Sequence, residues 1–534
     1  MMLRCWLADT DERFYPRSPA RDRDRIALDL LRGERGSFQV VARTGSEPVQ
    51  VGVEVVAPDG VDVRVRRVGY VPMPHLNTDT PDDEREGMAH LPGLVPDPLF
   101  PDHETLAGPH ETNSFWISLH VLAEAPPGEK TLAVRVIAGG ADVATFQVTL
   151  DIRQASLPPR RDFDVTHWFY CDAIADWYAV DPWAEPFWQI VRPYLHNLVT
   201  HNQNVVFTPI FTPPLDGVKR PTQLLGVSRE GEDGYRFDWT QIRRWVQEAK
   251  SAGLETFEWT HLFTQWGARD AIRVYEGHGE DGELLWDPAT PATSATYRGF
   301  LGQLLPAWER FLREEGLMAR SLFHLSDEPH GPEQLATYGA ARGLLRDLAP
   351  WMRVMDALSE VDFARQGLTD LPVPVLSSVP NFVAEGYPHW AYFCCQPRGR
   401  YVNRLFDTPL TKIRLTGPLL YRTGARGFLH WGANYWYKRQ TTELIDPFTV
   451  ADALAWPGWA YGDPFVVYPG PDGPLDSIRW EVFAESLQDY ALLQAAGVAP
   501  DDPLLAPLVN FADFPRDPAW LRAVRRQVRE RLRG

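Results

Sequence analysis

Asp327 and Glu328, followed directly by Pro329, are the neighbouring residues with the clearest capacity for chemistry in this sequence. Two carboxyl groups in one pocket can act as general acid and general base. Pro329 lacks a backbone N–H and therefore ends regular strand pairing at this point. On a straight strand the two side chains would point to opposite faces, but a bend at the strand end would bring both into one pocket. A helix start is the structural alternative, because acidic residues and proline are both common in a first helical turn.

Aromatic and polar side chains recur where other predicted strands end. They are His167, Trp168 and Tyr170, then Glu258, Trp259 and His261, and then His430, Trp431, Asn434 and Trp436. The flat face of tryptophan can stack on the apolar face of a sugar ring, so carboxylates among tryptophans indicate a carbohydrate site. Packing in the core is the alternative, since tryptophan is first a large apolar residue. Of the 20 tryptophans, Trp6 and Trp116 precede Trp168 and all others follow it or are it.

A standard sugar-cleaving pair needs a second carboxylate across the pocket. The predicted seventh strand, residues 391–396, contains Tyr392 but no carboxylate. A 2-acetamido group on the substrate could replace the missing nucleophile, because its carbonyl oxygen can attack C1 and form an oxazolinium ring. Two alternatives stay open: a non-catalytic carbohydrate-binding protein, and a glycosidase of plain sugars in which Glu258 is the nucleophile.

The first part of the chain is predicted to be an antiparallel β-sandwich, residues 1–156. Short segments rich in valine, phenylalanine and isoleucine are separated by turn signals such as Pro58-Asp59-Gly60. They are 25–31, 36–43, 49–56, 61–68, 114–121, 130–137 and 143–152. Residues 72–113 are rich in proline and acidic residues and are predicted to be an irregular loop. A loop of this length is often functional and could reach over a neighbouring domain.

The pattern changes after a linker at 156–162, and strands then alternate with helices. The predicted strands are 164–170, 204–211, 254–263, 321–327, 352–358, 374–379, 391–396 and 427–433. Eight such repeats predict a (β/α)8 barrel over residues 163–497, with a doubly wound sheet as the alternative. Residues 238–252 predict an amphipathic helix that ends at Gly253. Helices at 478–496 and 517–532 follow, the second in a peripheral C-terminal extension, residues 498–534.

The formal charge of −18 argues against a general nucleic-acid partner, because phosphate binding needs clustered cations. The sequence has no apolar run long enough for a membrane helix and no apolar leader, so we expect no membrane partner and a cytoplasmic location, with secretion left open. Cys394 and Cys395 are adjacent and predicted to be a poor disulfide pair, because neighbouring side chains on a strand point apart. Common zinc motifs are absent, so we expect no metal and no cofactor.

Several motifs, in order along the chain, resemble glycoside hydrolase family 123 and the related domain-of-unknown-function family 4091. Residues 33–41 (GERGSFQVV) resemble the family's opening, and Asp327-Glu328-Pro329 resembles its catalytic D-E-P. Residues 427–436 (GFLHWGANYW) resemble a strand with the pattern G-x-L-x-W-x-x-N-x-W. Gly462-Asp463 and the segments 467–470, 477–481 and 489–490 resemble the closing part.

This resemblance implies a β-sandwich followed by a barrel, and a retaining β-N-acetylhexosaminidase of the N-acetylgalactosaminidase type. Asp327 would orient the acetamido group, and Glu328 would be the general acid and base. We expect Glu328 to be protonated at rest and Asp327 to be ionised. The substrate is expected to be an oligosaccharide or glycoconjugate, and a homodimer is left open. The predicted substrate-binding residues are His167, Trp259, His261, Tyr392, Trp431, Asn434 and Trp436.

Overall fold

The computed structural model describes residues 3–213, 219–279 and 281–532. In this part of the chain, ten strands form the N-terminal region. They are β1 (Arg4–Ala8), β2 (Arg25–Arg32), β3 (Arg35–Arg43), β4 (Val49–Val56), β5 (Val61–Met73), β6 (Gly93–Phe100), β7 (Glu104–Ala107), β8 (Thr112–Val121), β9 (Gly128–Ala138) and β10 (Ala141–Ser156). Two sheets result, in the orders β1-β3-β8-β5-β6 and β2-β10-β9-β4-β7. All pairings are antiparallel except β10 with β2, which is parallel.

The alternation of β8 explains how this region is placed. Phe115 and Ile117 point into the core between the two sheets. Trp116 points the other way and is buried in the core of the second region. Because successive side chains of a strand face opposite sides, β8 is covered on both faces. One sheet of the sandwich is therefore the surface on which the rest of the chain packs.

The segment predicted to be an irregular loop, residues 72–113, contains β6 and β7, which extend the two sheets. Its remaining residues reach the second region, as its length suggested. The ring of His75 stacks on Trp456 with centroids 4.4 Å apart. Asn77 donates from Nδ2 to Asp407 at 2.8 Å and accepts the backbone N–H of Tyr461 at 2.8 Å.

The second region alternates strands and helices. Its strands are β11 (Asp164–His167), β12 (Val205–Thr208), β13 (Gly226–Glu230), β14 (Gly234–Asp238), β15 (Thr256–Trp259), β16 (Ser321–Phe323), β17 (Met355–Ala357), β18 (Leu371–Val373), β19 (Ala391–Tyr392), β20 (Gly427–His430), β21 (Tyr468–Gly470) and β22 (Gly473–Leu475). Seven of the eight predicted strands have a shorter counterpart at the predicted place. The sixth, predicted at 374–379, is wrong in position: β18 takes its place and ends at Val373, before the predicted strand begins. The pairs β13–β14 and β21–β22 are additional hairpins.

The eight strands pair in parallel in three interrupted groups: β11-β20-β19, β12-β15-β16 and β17-β18. Single parallel bridges, Phe323 with Val354 and Val375 with Tyr392, lie between neighbouring groups. The arrangement is thus a mixed α/β region built on parallel strands, whose carboxyl ends lie on one side, where ligand sites of such folds are found.

Helices cover these strands. They are α1 (Cys171–Trp177), α2 (Glu185–Thr200), α3 (Thr240–Ala252), α4 (Ala295–Glu314), α5 (Gly331–Leu348), α6 (Asp362–Arg365), α7 (Val379–Ala384), α8 (Leu410–Arg414), α9 (Thr416–Arg422), α10 (Ile478–Ala495) and α11 (Pro518–Arg531). The amphipathic prediction for α3 is confirmed: Ile242, Trp245, Val246 and Ala249 form its buried face. Gly253 ends it at a φ of 106°, a left-handed conformation that suits glycine. No helix of the described residues is long and apolar enough to cross a bilayer.

Buried ion pairs join the sandwich to α10 and the chain before it. Arg66 of β5 is fully buried and contacts both Asp476 and Glu481, the latter at 3.0 Å. Arg479 forms a two-point pair with Asp97 of β6 at 2.9 and 3.0 Å. Buried charges are tolerated where they are paired in this way. α11, predicted to be peripheral, also takes part in the interface, because Arg525 and Arg529 bond Glu34 of the sandwich.

Candidate active site

Asp327 and Glu328 follow β16 and enter the same cavity, as the sequence required of a catalytic pair. The predicted bend is present: Glu328 has a φ of 42°, in the left-handed region that few residues other than glycine adopt. Two backbone bonds hold it. Glu328 donates its N–H to Ala357 O at 2.9 Å, and Asp327 O accepts the N–H of Trp266 at 2.8 Å. A non-glycine residue held in this conformation is a common feature of functional sites.

The loop after β15 supports the pair from one side. Ser326 Oγ donates to Thr264 O at 2.7 Å and accepts the N–H of Ala268 at 3.1 Å. Gln265 Nε2 then donates to Asp327 Oδ2 at 3.0 Å. The loop therefore fixes the orientation of the Asp327 carboxyl and places Trp266, whose side chain is 47% exposed, at the edge of the cavity.

The cavity encloses about 140 Å³ and is lined mainly by aromatic and acidic side chains. The lining residues are Trp168, Gln265, Trp266, Asp327, Glu328, Ala357, Tyr392, Cys394, Cys395, Leu429, Trp431, Tyr435, Gln440, Trp459 and Asp463. A concave site of aromatic walls with a few convergent polar groups is typical of small-ligand binding. Its composition suits a sugar ring.

The two carboxyl groups of the pair differ in their surroundings. Tyr392 donates its hydroxyl to Glu328 Oε1 at 2.5 Å. Asp327 Oδ1 is buried and has no hydrogen-bond partner among the described residues. Burial, followed by the charge of Glu328, raises the pKa of Asp327 well above its ordinary value. Burial thus favours the neutral form of the Asp327 carboxyl in the empty site, whereas the sequence led us to expect Asp327 to be ionised.

A buried ionic chain lies in the strands that lead to the pair. His324 contacts Glu258 at 2.6 Å through Nε2 and Asp356 at 3.0 Å through Nδ1. Burial alone would lower the pKa of His324, but the hydrogen bonds and charges of Asp356 and Glu258 outweigh it and raise that pKa to about 10. His324 is therefore an imidazolium near neutral pH. Its positive charge in turn lowers the pKa of Asp327 and so opposes part of the increase that burial causes.

Glu258, the nucleophile of the plain-sugar alternative, is already engaged by hydrogen bonds in this ionic network. It is fully buried, and besides His324 it accepts hydrogen bonds from Thr166 Oγ1 and from Trp168 Nε1, the latter at 2.8 Å. It does not belong to the cavity lining. Glu258 thus positions Trp168 and His324 and is not presented to a substrate.

Asp463 is a third acidic group in the cavity. Its Oδ2 accepts from Trp431 Nε1 at 2.8 Å, and its Oδ1 lies 3.3 Å from His430 Nε2. His430 Nδ1 accepts the N–H of Gly432 at 3.0 Å, so the ring carries its proton on Nε2, but Asp463 Oδ1 accepts no hydrogen bond from the described residues. Burial raises the pKa of Asp463 to about 7, although Trp431 and nearby arginines oppose the increase.

Two buried clusters bring together side chains of metal-ligand type: His261, His324 and Asp356, and separately His201, Asp476 and Glu481. In the first, both nitrogens of His324 are bonded to carboxylates and the ring is protonated, so it cannot donate a lone pair to a metal. In the second, Arg66 already contacts both carboxylates. The donor sets therefore fit ion pairing better than metal binding.

Of the predicted substrate-binding residues, Tyr392 and Trp431 line the cavity, and five do not. Trp259 follows Glu258 on β15 and so points to the opposite face, where its Nε1 donates to Ser321 at 2.9 Å. His167 is buried between Gln203 and Arg404, at 3.0 and 2.8 Å. His261 is buried and stacks on His324 with centroids 4.4 Å apart.

Asn434 and Trp436 lie beyond β20, and their side chains form hydrogen bonds with backbone groups. Asn434 accepts the N–H of Tyr170 at 2.9 Å and donates to its carbonyl at 3.0 Å. Trp436 donates to Val467 O at 3.2 Å. These two predictions are corrected: both side chains are fully buried and hold the chain after β20 in place.

Several cavity residues come from loops and were not predicted as ligands. They are Gln265, Trp266, Cys394, Cys395, Tyr435, Gln440, Trp459 and Asp463, with Trp168 from the end of β11. Two of them carried a signal in the sequence: Trp168 is an aromatic residue at a predicted strand end, and Asp463 belongs to the Gly462-Asp463 motif, which lies outside any strand. The loop residues had no periodic pattern that could place them.

The glycoside hydrolase 123 catalytic domain model matches residues 168–496, more than half of the chain. The chain belongs to glycoside hydrolase family 123. A solved family 123 glycoside hydrolase from Clostridium perfringens, described in relation to glycolipid glycan hydrolysis, shares its fold. The TM-score is 0.78 at 15% identity, over 100% of this chain and 99% of that chain.

Two further solved glycoside hydrolases resemble this family 123 enzyme more distantly. A GH5 xyloglucanase from Bacteroides ovatus has 12% identity and a TM-score of 0.30, over 81% of this chain and 97% of that chain. A GH10 xylanase from termite gut has 10% identity and a TM-score of 0.32, over 88% and 100%. The comparison with curated proteins gives no match. The protein is a glycoside hydrolase on the strength of the family match.

The family motifs have different tasks in this glycoside hydrolase. Asp327 and Glu328 are in the cavity, and so are Trp431 and Asp463. Glu34, Arg479 and Glu481, from the opening and closing motifs, form the ion pairs between sandwich and catalytic region. Much of the motif pattern therefore maintains the arrangement of the two regions, and a smaller part forms the site.

Proposed function

We propose that the protein is a retaining β-N-acetylhexosaminidase, of the N-acetylgalactosaminidase type, that uses the 2-acetamido group of its substrate as the nucleophile. One observation carries the proposal: Asp327 and Glu328 enter one cavity side by side, and the buried Oδ1 of Asp327 has no hydrogen-bond partner among the described residues. A substrate amide N–H would supply that partner. Substrate-assisted chemistry of this kind is a recognised exception to the standard two-carboxylate mechanism.

Asp327 holds the acetamido group so that its carbonyl oxygen reaches C1. In the empty site, burial favours the protonated form of Asp327. The N–H of a bound acetamido group donates to Asp327 and favours its ionised form. The proton then moves to Glu328, which gives it to the leaving glycosidic oxygen as the C1–O bond breaks. Asp327 balances the positive charge of the oxazolinium, and Glu328 afterwards takes a proton from the water that opens the ring.

Tyr392 and Asp463 have supporting tasks. The hydroxyl of Tyr392 fixes the direction of the Glu328 carboxyl through the 2.5 Å hydrogen bond. Asp463, beside Trp431, offers a polar group to a sugar hydroxyl.

We also propose that the eight parallel strands close into a (β/α)8 barrel. Two observations support a ring. The pairs β15-β16 and β17-β18 are neighbours in sequence order, and single bridges link neighbouring groups of strands. The pairing of β11 with β20, the first strand with the last, is what closure requires. The glycolipid glycan named for the Clostridium perfringens enzyme supports a glycoconjugate substrate for this chain.

The test compares Glu328→Gln and Asp327→Asn on aryl 2-acetamido-glycosides. Glu328→Gln should lose most activity when the leaving group is poor and much less when it is a good one, because only a poor leaving group needs the proton. Asp327→Asn should lose activity with both, because the intermediate forms more slowly. Glu333→Gln in α5, an exposed residue, is the control. Near-wild-type rates in both catalytic variants would contradict the assignment.

A further inference from the structure

Two thiols lie side by side in the wall of the cavity. Cys394 and Cys395 follow β19, and their Sγ atoms are 3.8 Å apart. Both side chains are partly exposed, and both line the cavity together with Glu328 and Asp463. The sequence predicted diverging side chains because it assumed a strand through both residues. β19 in fact ends at Tyr392, and the chain then turns, so the two side chains share one side.

The backbone around the thiols is fixed. Cys394 donates its N–H to Gln396 O at 2.9 Å, and its carbonyl accepts from Asn403 Nδ2 at 2.8 Å. The carbonyl of Cys395 accepts from Arg398 Nε at 2.6 Å. Because the backbone is held, the movement needed to bring the two sulfur atoms together must come from the two side chains, inside the cavity.

We infer that Cys394 and Cys395 are a reversible oxidation site, at which a small organic disulfide converts the two thiols into a disulfide and lowers activity. Closure needs the sulfur atoms to approach by roughly 1.8 Å, from van der Waals contact to a disulfide bond. Consecutive Cα atoms are about 3.8 Å apart, less than the usual range for a disulfide, so the bond would be strained. Strained disulfides are easily reduced, which suits a reversible modification better than a structural bridge.

The reaction is a thiol–disulfide exchange in two steps. The Cys395 thiolate attacks one sulfur of the organic disulfide RSSR, breaks the S–S bond and releases RS⁻. Cys394 then loses its proton, attacks the sulfur of Cys395 and releases the second RS⁻. Two protein thiols are oxidised by two electrons, RSSR is reduced to two RSH, and the protons pass to the released thiolates.

The order of these steps follows from the surroundings. The hydrogen bond with Cys395 and burial raise the pKa of the Cys394 thiol well above its ordinary value. Cys394 is therefore a poor first nucleophile. It becomes effective in the second step because the mixed disulfide on Cys395 is next to it. The consequence for activity rests on the proposed function, since the new ring would lie beside Glu328.

The test treats the reduced full-length protein, in a Cys5→Ser background, with bis(2-hydroxyethyl) disulfide. Cys5 is the other partly exposed cysteine and lies in the sandwich, so its removal should leave activity unchanged. Intact mass should fall by about 2 Da, and peptide mapping should place the bond between residues 394 and 395. Activity should fall at least fivefold and return with dithiothreitol. With Cys394 replaced by serine, the mixed disulfide should be trapped on Cys395.

Phenylarsine oxide provides a second reading, because its arsenic binds two neighbouring thiols and releases water. It should inactivate the protein, and 2,3-dimercaptopropanol should reverse this where 2-mercaptoethanol does not. Unchanged mass, or two separate adducts and no internal bond, would overturn the inference. A complete internal bond with unchanged activity would overturn the effect on catalysis. The mass readings need no glycosidase activity, so they stand apart from the proposed function.

Discussion

His324→Gln tests whether a buried cation holds the strands beneath the catalytic pair. Glutamine carries no charge, so Glu258 and Asp356 would remain buried without the cation that contacts both. Removing one partner of a buried ion pair usually costs about 3–5 kcal/mol. The folded pKa of about 10 against an ordinary 6.5 corresponds independently to about 5 kcal/mol of preference for the charged ring. The two values agree in size.

The pH dependence distinguishes this cation from ordinary packing. Because the folded pKa is raised, the stabilisation is fully present below pH 6.5 and is lost as the pH rises through 10. At pH 6 the variant should therefore unfold roughly 3–5 °C below the wild type, at about 1 °C per kcal/mol, because the entropy of unfolding grows with chain length. At pH 10.5 the difference should be much smaller, because the wild-type ring is then neutral.

The assay is thermal unfolding of both proteins by calorimetry at matched pH from 6 to 10.5, so that other titrations cancel in the difference. His330→Gln is the control, because His330 is exposed and directly precedes α5. A deficit that is the same at pH 6 and at pH 10.5 would show that His324 acts only through packing. The absence of any deficit would refute the ionic chain itself.

Three other substitutions test the site. Tyr392→Phe removes the hydrogen bond to Glu328. Because a hydrogen bond to a charged group contributes about 1.5–3 kcal/mol, kcat/KM should fall roughly 10- to 100-fold, with Tyr421→Phe as the remote control. An unchanged rate would exclude a positioning role for Tyr392. Trp266→Ala should raise KM about three- to tenfold with little change in kcat if the ring stacks on substrate, and a fall in kcat alone would contradict this. The raised pKa of Asp463 means that the folded state keeps this proton to higher pH than the unfolded state, so the wild type should lose about 4 kcal/mol of stability as the pH rises from about 4 to about 7. Asp463→Asn cannot titrate and should not show this loss. Unfolding midpoints at pH 4 and pH 8 measure it, and an equal pH dependence in both proteins would contradict the pKa.

The sequence predicted those elements whose signals are local. The apolar stripe and Gly253 were enough to place α3 and its end. The strands β6 and β7 were missed because β6 contains Pro96 and Pro98, which argue against a strand. β6 lies at the edge of its sheet, where proline is tolerated, and a sequence does not reveal which strand will be an edge.

The candidate site was predictable in part for the same reason. Asp327 and Glu328 needed a bend to share a pocket, and Pro329 was the local sign of it. Whether a side chain at a strand end faces the cavity depends on the register of the strand, which composition does not fix. On β15 the register turns Glu258 inward and Trp259 outward, so a predicted ligand became a core residue. Loop residues such as Trp266 depend on contacts far away in the sequence.

The most direct test of the proposed mechanism uses two aryl glycosides that share a leaving group and differ only in having a 2-acetamido or a 2-hydroxyl group. A thiazoline analogue of the oxazolinium is added as inhibitor. The account predicts hydrolysis of the 2-acetamido substrate alone, with competitive inhibition by the thiazoline that weakens in Asp327→Asn. Hydrolysis of the 2-hydroxyl substrate at a similar rate, without thiazoline inhibition, would contradict it.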